Sequence, residues 1–449
     1  MNFPQKCARA VTGSVASVHA WLDAARYVTR TGRKHGNRGQ HHPGAPRILL
    51  LSRTFPPARD GGVYRLVAIA TAASQAGWNV DVVTGPVPRD PTQAGLELVD
   101  HLPAAVRIHH WQRPAQLPIA RIAPTIDGGF LEVDRIVGAA RGLPAPDVIL
   151  ASGPMFSEFV AARILSASLS RPYVLDYRDE WTENPARFIE RGLTDRYWER
   201  FALTGAAAII CNTAGMARHF PVAFGPVVEG KLHVVPNGWD PPDPASAAAT
   251  SIAGVGDLSR SITFFGVLTE ELDHVNFEVF ADDLERLLVS RPQMENLVRF
   301  CFVGVKSPGY HRRLASGAMG RMCVDIDHQP VSVVAASMSR CLGLLLFNGP
   351  AGQRMIPGKT YGYIAARRPI LIYGTGGDTG DLFQGVPGAR TIRPGDPQDL
   401  GRAIDALTSG TLDHELARRG EAIVESNSRA ARSAKLLAIL SSVAAGHGE

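Results

Sequence analysis

The sequence has no Gly-x-Ser-x-Gly elbow, no phosphate-binding P-loop, and no histidine pair spaced around a glutamate. These gaps argue against α/β-type serine hydrolases, P-loop nucleotidases and zinc peptidases, because each chemistry needs its residues at fixed spacing. Cysteine is scarce. There are five, Cys7, Cys211, Cys301, Cys323 and Cys341, an odd number without Cys-x-x-Cys spacing. A disulfide framework and a zinc ribbon are not expected. Cys211, Cys301 and Cys341 fall in or beside expected strands and read as small core residues of a reducing compartment. No apolar run approaches the length of a membrane-spanning helix. Met1–Ala20 holds no continuous apolar stretch, so no secretory leader is expected. A cytoplasmic location follows from these readings. What is present is an ordinary composition, 45% hydrophobic and 20% charged over 449 residues. That length suits two or three domains, each with its own core.

Charge is unevenly distributed. Residues 1–46 carry Lys6, Arg9, Arg26, Arg30, Arg33, Lys34 and Arg38 against Asp23 alone, so this segment is +6 and the rest of the +5 chain is −1. A near-neutral body offers no broad nucleic-acid surface. The basic segment has two readings. Val11, Val15, Val18, Leu22 and Ala25 recur at helical spacing, and a basic amphipathic helix suits peripheral contact with the inner membrane face. The other reading is a poorly ordered extension, rich in Gly, His and Arg from Thr31 to Pro46.

From Arg47 the pattern becomes regular. Arg47–Ser52 is a continuous apolar run, as expected of a strand buried on both faces of a parallel sheet. A loop, a helix over Val67–Ala76 and a strand over Trp78–Thr84 complete a βαβ unit. Further strands are predicted at Val106–His109, Val148–Ala151, Val174–Tyr177, Ala207–Cys211 and Leu232–Val235. Asp240–Gly256 is rich in Pro, Ala, Ser and Gly and reads as a linker. The rhythm then restarts at Ile262–Phe265, Val298–Val303, Cys323–Ile326, Leu342–Phe347 and Ile370–Tyr373, and one long helix, about Asp413–Val443, ends the chain. The expected domains are a basic extension over 1–46, a Rossmann-like domain over 47–240, a linker over 241–260, a second Rossmann-like domain over 261–411, and a terminal helix over 412–449 that packs back on the first. The fold class is α/β, two doubly wound domains facing a cleft.

Four clusters carry candidate chemistry. Ser52–Arg65 joins the first strand to the first helix, at the sheet edge where open α/β folds bind ligands. Gly61 and Gly62 would let backbone approach a bound group, and Arg65 lies one turn on; a plain tight turn is the other reading. Asp176-Tyr177-Arg178-Asp179-Glu180-Trp181 places dense charge at a strand end, to be paired or used. Val235-Pro236-Asn237-Gly238-Trp239-Asp240 forms a turn before the linker. In the second half, Gly266 follows a strand. Lys359 opens a short helix after Pro357-Gly358, and Gly374–Gly380 is glycine-rich. A helix N-terminus beside glycine loops suits a diphosphate, with Lys359 and Arg354 adding charge. Asp325-Ile326-Asp327 spells a metal-holding triplet, but reads better as ordinary loop carboxylates, and no metal site is predicted.

Taken in order, these blocks resemble the GT-B-fold glycosyltransferases of the retaining family-4 type, over about Arg47–Val443. Phe55-Pro56-Pro57 with Gly61-Gly62 and Arg65, the Asp-x-Arg-Asp-x-Trp run at 176–181, Pro236-Asn237-Gly238 and Met355–Leu371 all resemble the family's elements. The resemblance implies sugar transfer from a nucleotide-sugar donor to a glycan or lipid-linked acceptor, with retention of configuration. No metal or further cofactor is implied, since the nucleotide-sugar is itself the substrate. It assigns Arg178, Asp179 and Arg65 to catalysis on the acceptor side. Gly61, Gly62, Gly266, Arg354, Lys359, Gly376 and Gly377 would bind the donor. Several positions depart from the pattern. Gly362 stands where the family has a ribose-binding Glu, Arg354 where it has an earlier acidic residue, and Phe156 where a His often falls. Thr269–His274 is acidic where a basic pair is usual. A catalytically inactive GT-B-fold binding or partner subunit is therefore the alternative expectation.

Overall fold

The computed structural model describes residues 44–58, 61–112, 130–185, 195–240, 252, 258–269, 274–374 and 376–447. The basic extension, with its expected helix over Val11–Ala25, and most of the linker lie outside the described residues. The chain divides into two units, one of residues up to Asn237 together with Arg429 onward, the other Gly238–Ser428.

The first unit is built on seven parallel strands: β1 (Arg47–Ser52), β2 (Asn79–Thr84), β3 (Val106–His110), β4 (Val148–Gly153), β5 (Tyr173–Tyr177), β6 (Ala208–Cys211) and β7 (Leu232–Val234). Their spatial order is β3-β2-β1-β4-β5-β6-β7, so the strand order reverses between β1 and β4. Successive side chains of a strand point to opposite faces, and β1 shows it. Leu49 and Leu51 join one apolar layer with Ile149 and Leu175. Ile48 and Leu50 join the other, with Leu66, Ile69 and Ala73 of the helix Val63–Gln75. Leu436 and Leu440 of the last helix, Arg429–Ala445, belong to that second layer.

The expected single terminal helix is three: Thr411–Leu416, Glu421–Ser426 and Arg429–Ala445. Gly420 is extended, with φ −71° and ψ 154°, which stops helical continuation, and Asn427 and Ser428 fall at the passage from one unit to the other. Only the last segment belongs to the first unit.

The second unit has six parallel strands: β8 (Ser261–Phe265), β9 (Arg299–Val303), β10 (Cys323–Ile326), β11 (Gly343–Asn348), β12 (Ile370–Gly374) and β13 (Ala389–Ile392). The order β10-β9-β8-β11-β12-β13 again reverses beside the first strand of the unit. β13 was not anticipated. It has four residues, and only Ile392 is buried, so it carries little apolar signal. Phe264, Phe280, Phe302, Phe347 and Tyr373 pack as tilted or edge-to-face rings across this unit's core, and such pairs add about 0.5–1.5 kcal/mol each beyond area burial.

A buried carboxylate sits on β2. Asp81 of β2 accepts from Arg47 Nη1 at 2.6 Å and Arg107 Nε at 3.1 Å, and lies 3.0 Å from His109 Nε2. Burial pushes its carboxyl up, but His109, Arg47 and Arg107 more than offset this and hold it below the usual aspartate value. A depressed carboxyl stabilises the fold above its unfolded pKa and loses that contribution as pH falls through its folded pKa. Asp81→Asn should lower stability by about 1.5–3 kcal/mol near neutral pH, the range for hydrogen bonds to charged groups. The deficit should vanish at strongly acid pH. Urea titrations of both proteins across pH would show it, and a pH-independent deficit would contradict the assignment.

Candidate functional site

Ligands of doubly wound folds bind at the carboxyl ends of the strands, beside the reversal of strand order. In the first unit, β1, β4, β5 and β6 deliver Ser52–Gly62, Gly153–Pro154, Arg178–Trp181 and Asn212 to that edge. The part of this loop at 59–60 lies outside the described residues.

Arg65 is engaged within its own unit. Its Nε and Nη2 bind both oxygens of Asp176, at 3.1 and 2.8 Å. Its remaining donors reach Val235 O at 3.0 Å, Pro236 O at 3.0 Å and Asn237 Oδ1 at 3.4 Å. Ser152 Oγ donates to the same carboxylate at 2.9 Å. Arg65 and Asp176 are both buried. The expected catalytic arginine is therefore a clamp that ties the first helix to β5 and to the turn after β7.

Arg178 is also internal. Nε donates to Gly153 O at 2.8 Å and Nη2 to Pro154 O at 2.6 Å. A Cβ on Gly62 would lie 1.0 Å from Arg178 Nη1. Gly62 is thus a glycine because a guanidinium, rather than a ligand, occupies the space. Gly61 has no neighbour within 4 Å of a would-be Cβ among the described residues, so no packing demand of that kind fixes it.

Asp179 differs from both arginines. It is half-buried, and no described residue donates a hydrogen bond to its carboxylate. Burial raises its pKa, Arg178 opposes the rise, and Glu180 adds to it. A carboxylate so placed at the ligand edge is the strongest candidate in this unit for meeting a hydroxyl. Asn212, which no motif marks, supports it. Its Nδ2 donates to Arg178 O at 3.0 Å, and its Oδ1 accepts from Asn237 N at 2.9 Å.

Phe156, where the family often has His, is fully buried and stacks on Trp181 with centroids 4.9 Å apart. Glu199 of the helix Asp195–Gly205 is also buried, and its Oε2 accepts from Thr182 N at 3.1 Å and from the Thr182 hydroxyl.

In the second unit the structure makes two groupings, both at the carboxyl ends of β8, β11 and β12. Gly266 meets Lys359: a Cβ on Gly266 would lie 3.0 Å from Lys359 Nζ. That ammonium sits 3.5 Å from the centroid of Phe264, a cation–π contact that holds it against the strand end. Gly376 and Gly377 meet the turn carrying Arg354. A Cβ on Gly377 would lie 2.6 Å from Gln353 O, and Asp378 N donates to that same oxygen at 2.9 Å. The expected glycine-rich loop is in part a short helix, Gly377–Phe383. Two asparagines missed in the sequence brace this edge. Asn276 Nδ2 donates to Asn348 O at 2.6 Å and Tyr373 O at 3.2 Å. Asn348 Nδ2 donates to Gly376 O at 2.8 Å. Asparagine in a loop or first helical turn is too common for sequence to mark either.

The Asp325-Ile326-Asp327 triplet is occupied internally. Asp325 pairs with Lys306 Nζ at 3.0 Å and with His311. Among the described residues no group of three or more His, Cys, Asp or Glu is arranged to hold a metal ion.

Residues 60–238 match the family model of the glycosyl transferase 4-like domain. Among solved structures, sucrose-phosphate synthase from Thermosynechococcus elongatus aligns over 89% of this chain and 100% of its own, with a TM-score of 0.65 and 16% identity. Anabaena Alr3699/HepE, in complex with UDP and glucose, aligns over 88% of this chain and 100% of its own, with a TM-score of 0.61 and 16% identity. An Escherichia coli structure described as trehalose-6-phosphate bound with UDP-2-fluoro glucose aligns over 88% of this chain and 98% of its own, with a TM-score of 0.64 and 12% identity. No curated protein matches the chain. The fold is GT-B, with two Rossmann-like units. Residues 60–238 thus match a glycosyl transferase 4-like domain, within a chain whose fold as a whole is that of GT-B proteins.

Two predictions follow from the buried charges. Arg65→Met should destabilise the fold by about 3–5 kcal/mol, because it orphans a buried carboxylate. Arg65→Lys should not restore it, since a lysine cannot bind both oxygens and three further acceptors. Full stability of the lysine variant in urea would refute the clamp. Burial pushes Glu199 up to about 7, against the opposing effect of Thr182 and Arg196. A raised carboxyl binds a proton in the folded state that the unfolded state has released. Stability should therefore fall as pH rises from about 4.3 to about 7, by at most about 1.4 kcal/mol per unit. Glu199→Gln should flatten that slope, which urea midpoints between pH 5 and 8 would reveal.

Proposed function

We propose that this protein is a glycosyltransferase, which moves a sugar from a nucleoside-diphosphate sugar to a glycan or lipid-linked acceptor, with retention of configuration and without a metal. The observation that carries the reading is the ammonium of Lys359 held against Gly266 at the strand-order reversal of the second unit. A fixed cation beside a bare backbone suits a diphosphate, whose oxygens need charge and close approach. Arg354, on the turn that packs against Gly376 and Gly377, supplies a second cation. The occupation of Asp325 by Lys306 and His311 supports a diphosphate neutralised by side chains rather than by a metal on that triplet. HepE was solved with UDP and glucose, which favours the same donor class.

On the first unit, Asp179 accepts a hydrogen bond from the acceptor hydroxyl, and Arg178 with Asn212 fixes its backbone. The hydroxyl oxygen attacks the anomeric carbon on the face from which the diphosphate leaves. The bond from that carbon to the phosphate oxygen breaks, and the same oxygen takes the hydroxyl proton. Protein groups contribute position and charge. The cytoplasm is the setting in this reading, and the +6 segment over 1–46 is the part suited to an anionic membrane face. No helix among the described residues is long and apolar enough to cross a membrane.

A thermal-shift screen with UDP, GDP, ADP and dTDP tests the donor class, since a nucleotide that binds the folded state raises Tm. Lys359→Ala should weaken the nucleotide that binds by about 1.5–3 kcal/mol in calorimetry. Asp179→Asn should lower kcat at least about tenfold, the scale of a lost hydrogen bond to a charged group, and remove an acid limb lying above the ordinary aspartate range. Product NMR should show the retained anomer in the presence of EDTA. An inverted anomer, or unchanged nucleotide affinity in the Lys359 variant, would overturn the assignment.

A further inference from the structure

The Asp325-Ile326-Asp327 triplet does face a cation, and that cation belongs to the chain. Lys306 Nζ lies 3.0 Å from Asp325 Oδ1. It also donates to Phe302 O at 3.1 Å, Gly304 O at 2.6 Å and Ile326 O at 2.7 Å. The Lys306 side chain is 1% exposed. One ammonium therefore closes the carboxyl ends of two neighbouring strands, β9 and β10. No neutral side chain places three donors on a single atom.

The residues around Lys306 grip the segment that follows β8. Gly266 N donates to Val303 O at 2.9 Å, Leu268 N to Val305 O at 2.9 Å, and Ser307 N to Leu268 O at 3.2 Å. Gly304, with φ +136°, lies so close that a Cβ on it would be 2.0 Å from Gly266 O. Gly266 in turn bears on the Lys359 ammonium. The contacts run without a gap from the Lys306 ammonium, through the Gly304 carbonyl and the Gly266 backbone, to Lys359.

We propose that Lys306 is a positioning residue of the donor site, which sets Gly266 and hence Lys359 without touching the diphosphate. This inference rests on the donor reading given above. Its own content is the mechanical link, which can be measured apart from any ligand. Replacing Lys306 removes the hydrogen bonds that fix the Gly304 and Ile326 carbonyls, while Asp325 keeps His311 as a partner.

Lys306→Met retains most of the apolar stem and removes the ammonium. Hydrogen exchange on the full chain should show protection of the Gly266 and Leu268 amides falling at least about tenfold, the scale of a lost hydrogen bond to a charged group. The helix Pro397–Thr408 should stay protected. Calorimetry with UDP, GDP, ADP and dTDP should show the affinity of whichever binds wild type falling about tenfold. In a Lys359→Ala background the same change should cost less than about threefold, because coupled residues are not additive. Equal losses in the two backgrounds, or unchanged protection at 266 and 268, would overturn the proposal. Wild-type protein that binds none of the four nucleotides would sink the donor reading, and exchange alone would then decide the link. Should Lys306→Met fail to fold, Asp325→Asn keeps the ammonium and loosens it. A smaller rise in exchange at the same two amides is then expected, and none would refute the link.

Discussion

Carbonyl oxygens at the carboxyl ends of buried parallel strands are the constraint on which both units depend. The ladder runs out where each strand stops, and a buried carbonyl without a donor is costly. The chain supplies donors from side chains. Arg65 takes Val235 O and Pro236 O, Arg178 takes Gly153 O and Pro154 O, and Asn212 takes Arg178 O. In the second unit, Lys306 and Asn276 do the same for β9 to β12. The ligand edge is therefore rigid because its charged residues are engaged with backbone.

This explains why so few of the conspicuous charges are available for chemistry. Arg65, Asp176 and Arg178 look catalytic by residue type and position, yet the carboxylate, guanidinium and carbonyls they bind lie within their own unit. Asp179 is set apart because it is half-buried and no described residue donates a hydrogen bond to its carboxylate. Arg65, Asp176 and Arg178 thus frame one candidate carboxylate at the end of β5.

The central strands are legible because buried parallel strands are nearly continuous apolar runs, as at Leu49–Leu51 and Leu344–Leu346. β13 is not, because Arg390 and Thr391 separate its two apolar residues, Ala389 and Ile392. The terminal helix was read as one because Gly420, Asn427 and Ser428 interrupt it without a proline to mark the break. Site legibility was lower for a physical reason. Lys306, Asn212 and Asn276 act on carbonyls, which every residue carries, so no spacing in the sequence distinguishes their targets. Gly62 was noticed, but for the wrong partner: the space it leaves holds the Arg178 guanidinium, a contact 116 positions away in the chain.

Gly362 poses the opposite problem. A Cβ there would meet nothing closer than Met338 Sδ at 3.7 Å, an ordinary contact. Its φ is not positive, and it lies in a helix, Lys359–Ala365, where glycine is less favourable than alanine by about 1 kcal/mol. Neither packing nor backbone geometry requires the glycine, so the missing carboxylate of the family pattern is a matter of recognition and not of space. A donor site without that carboxylate must hold its nucleotide by other contacts. The features nearest to hand are the Lys359 ammonium, the bare backbone of Gly266 and the braced turn at Gln353–Arg354. By charge and bare backbone these features suit phosphate rather than ribose. In the donor reading proposed above, recognition is weighted toward the diphosphate, and the rigidity of the strand ends matters more than in a site that also grips the sugar hydroxyls.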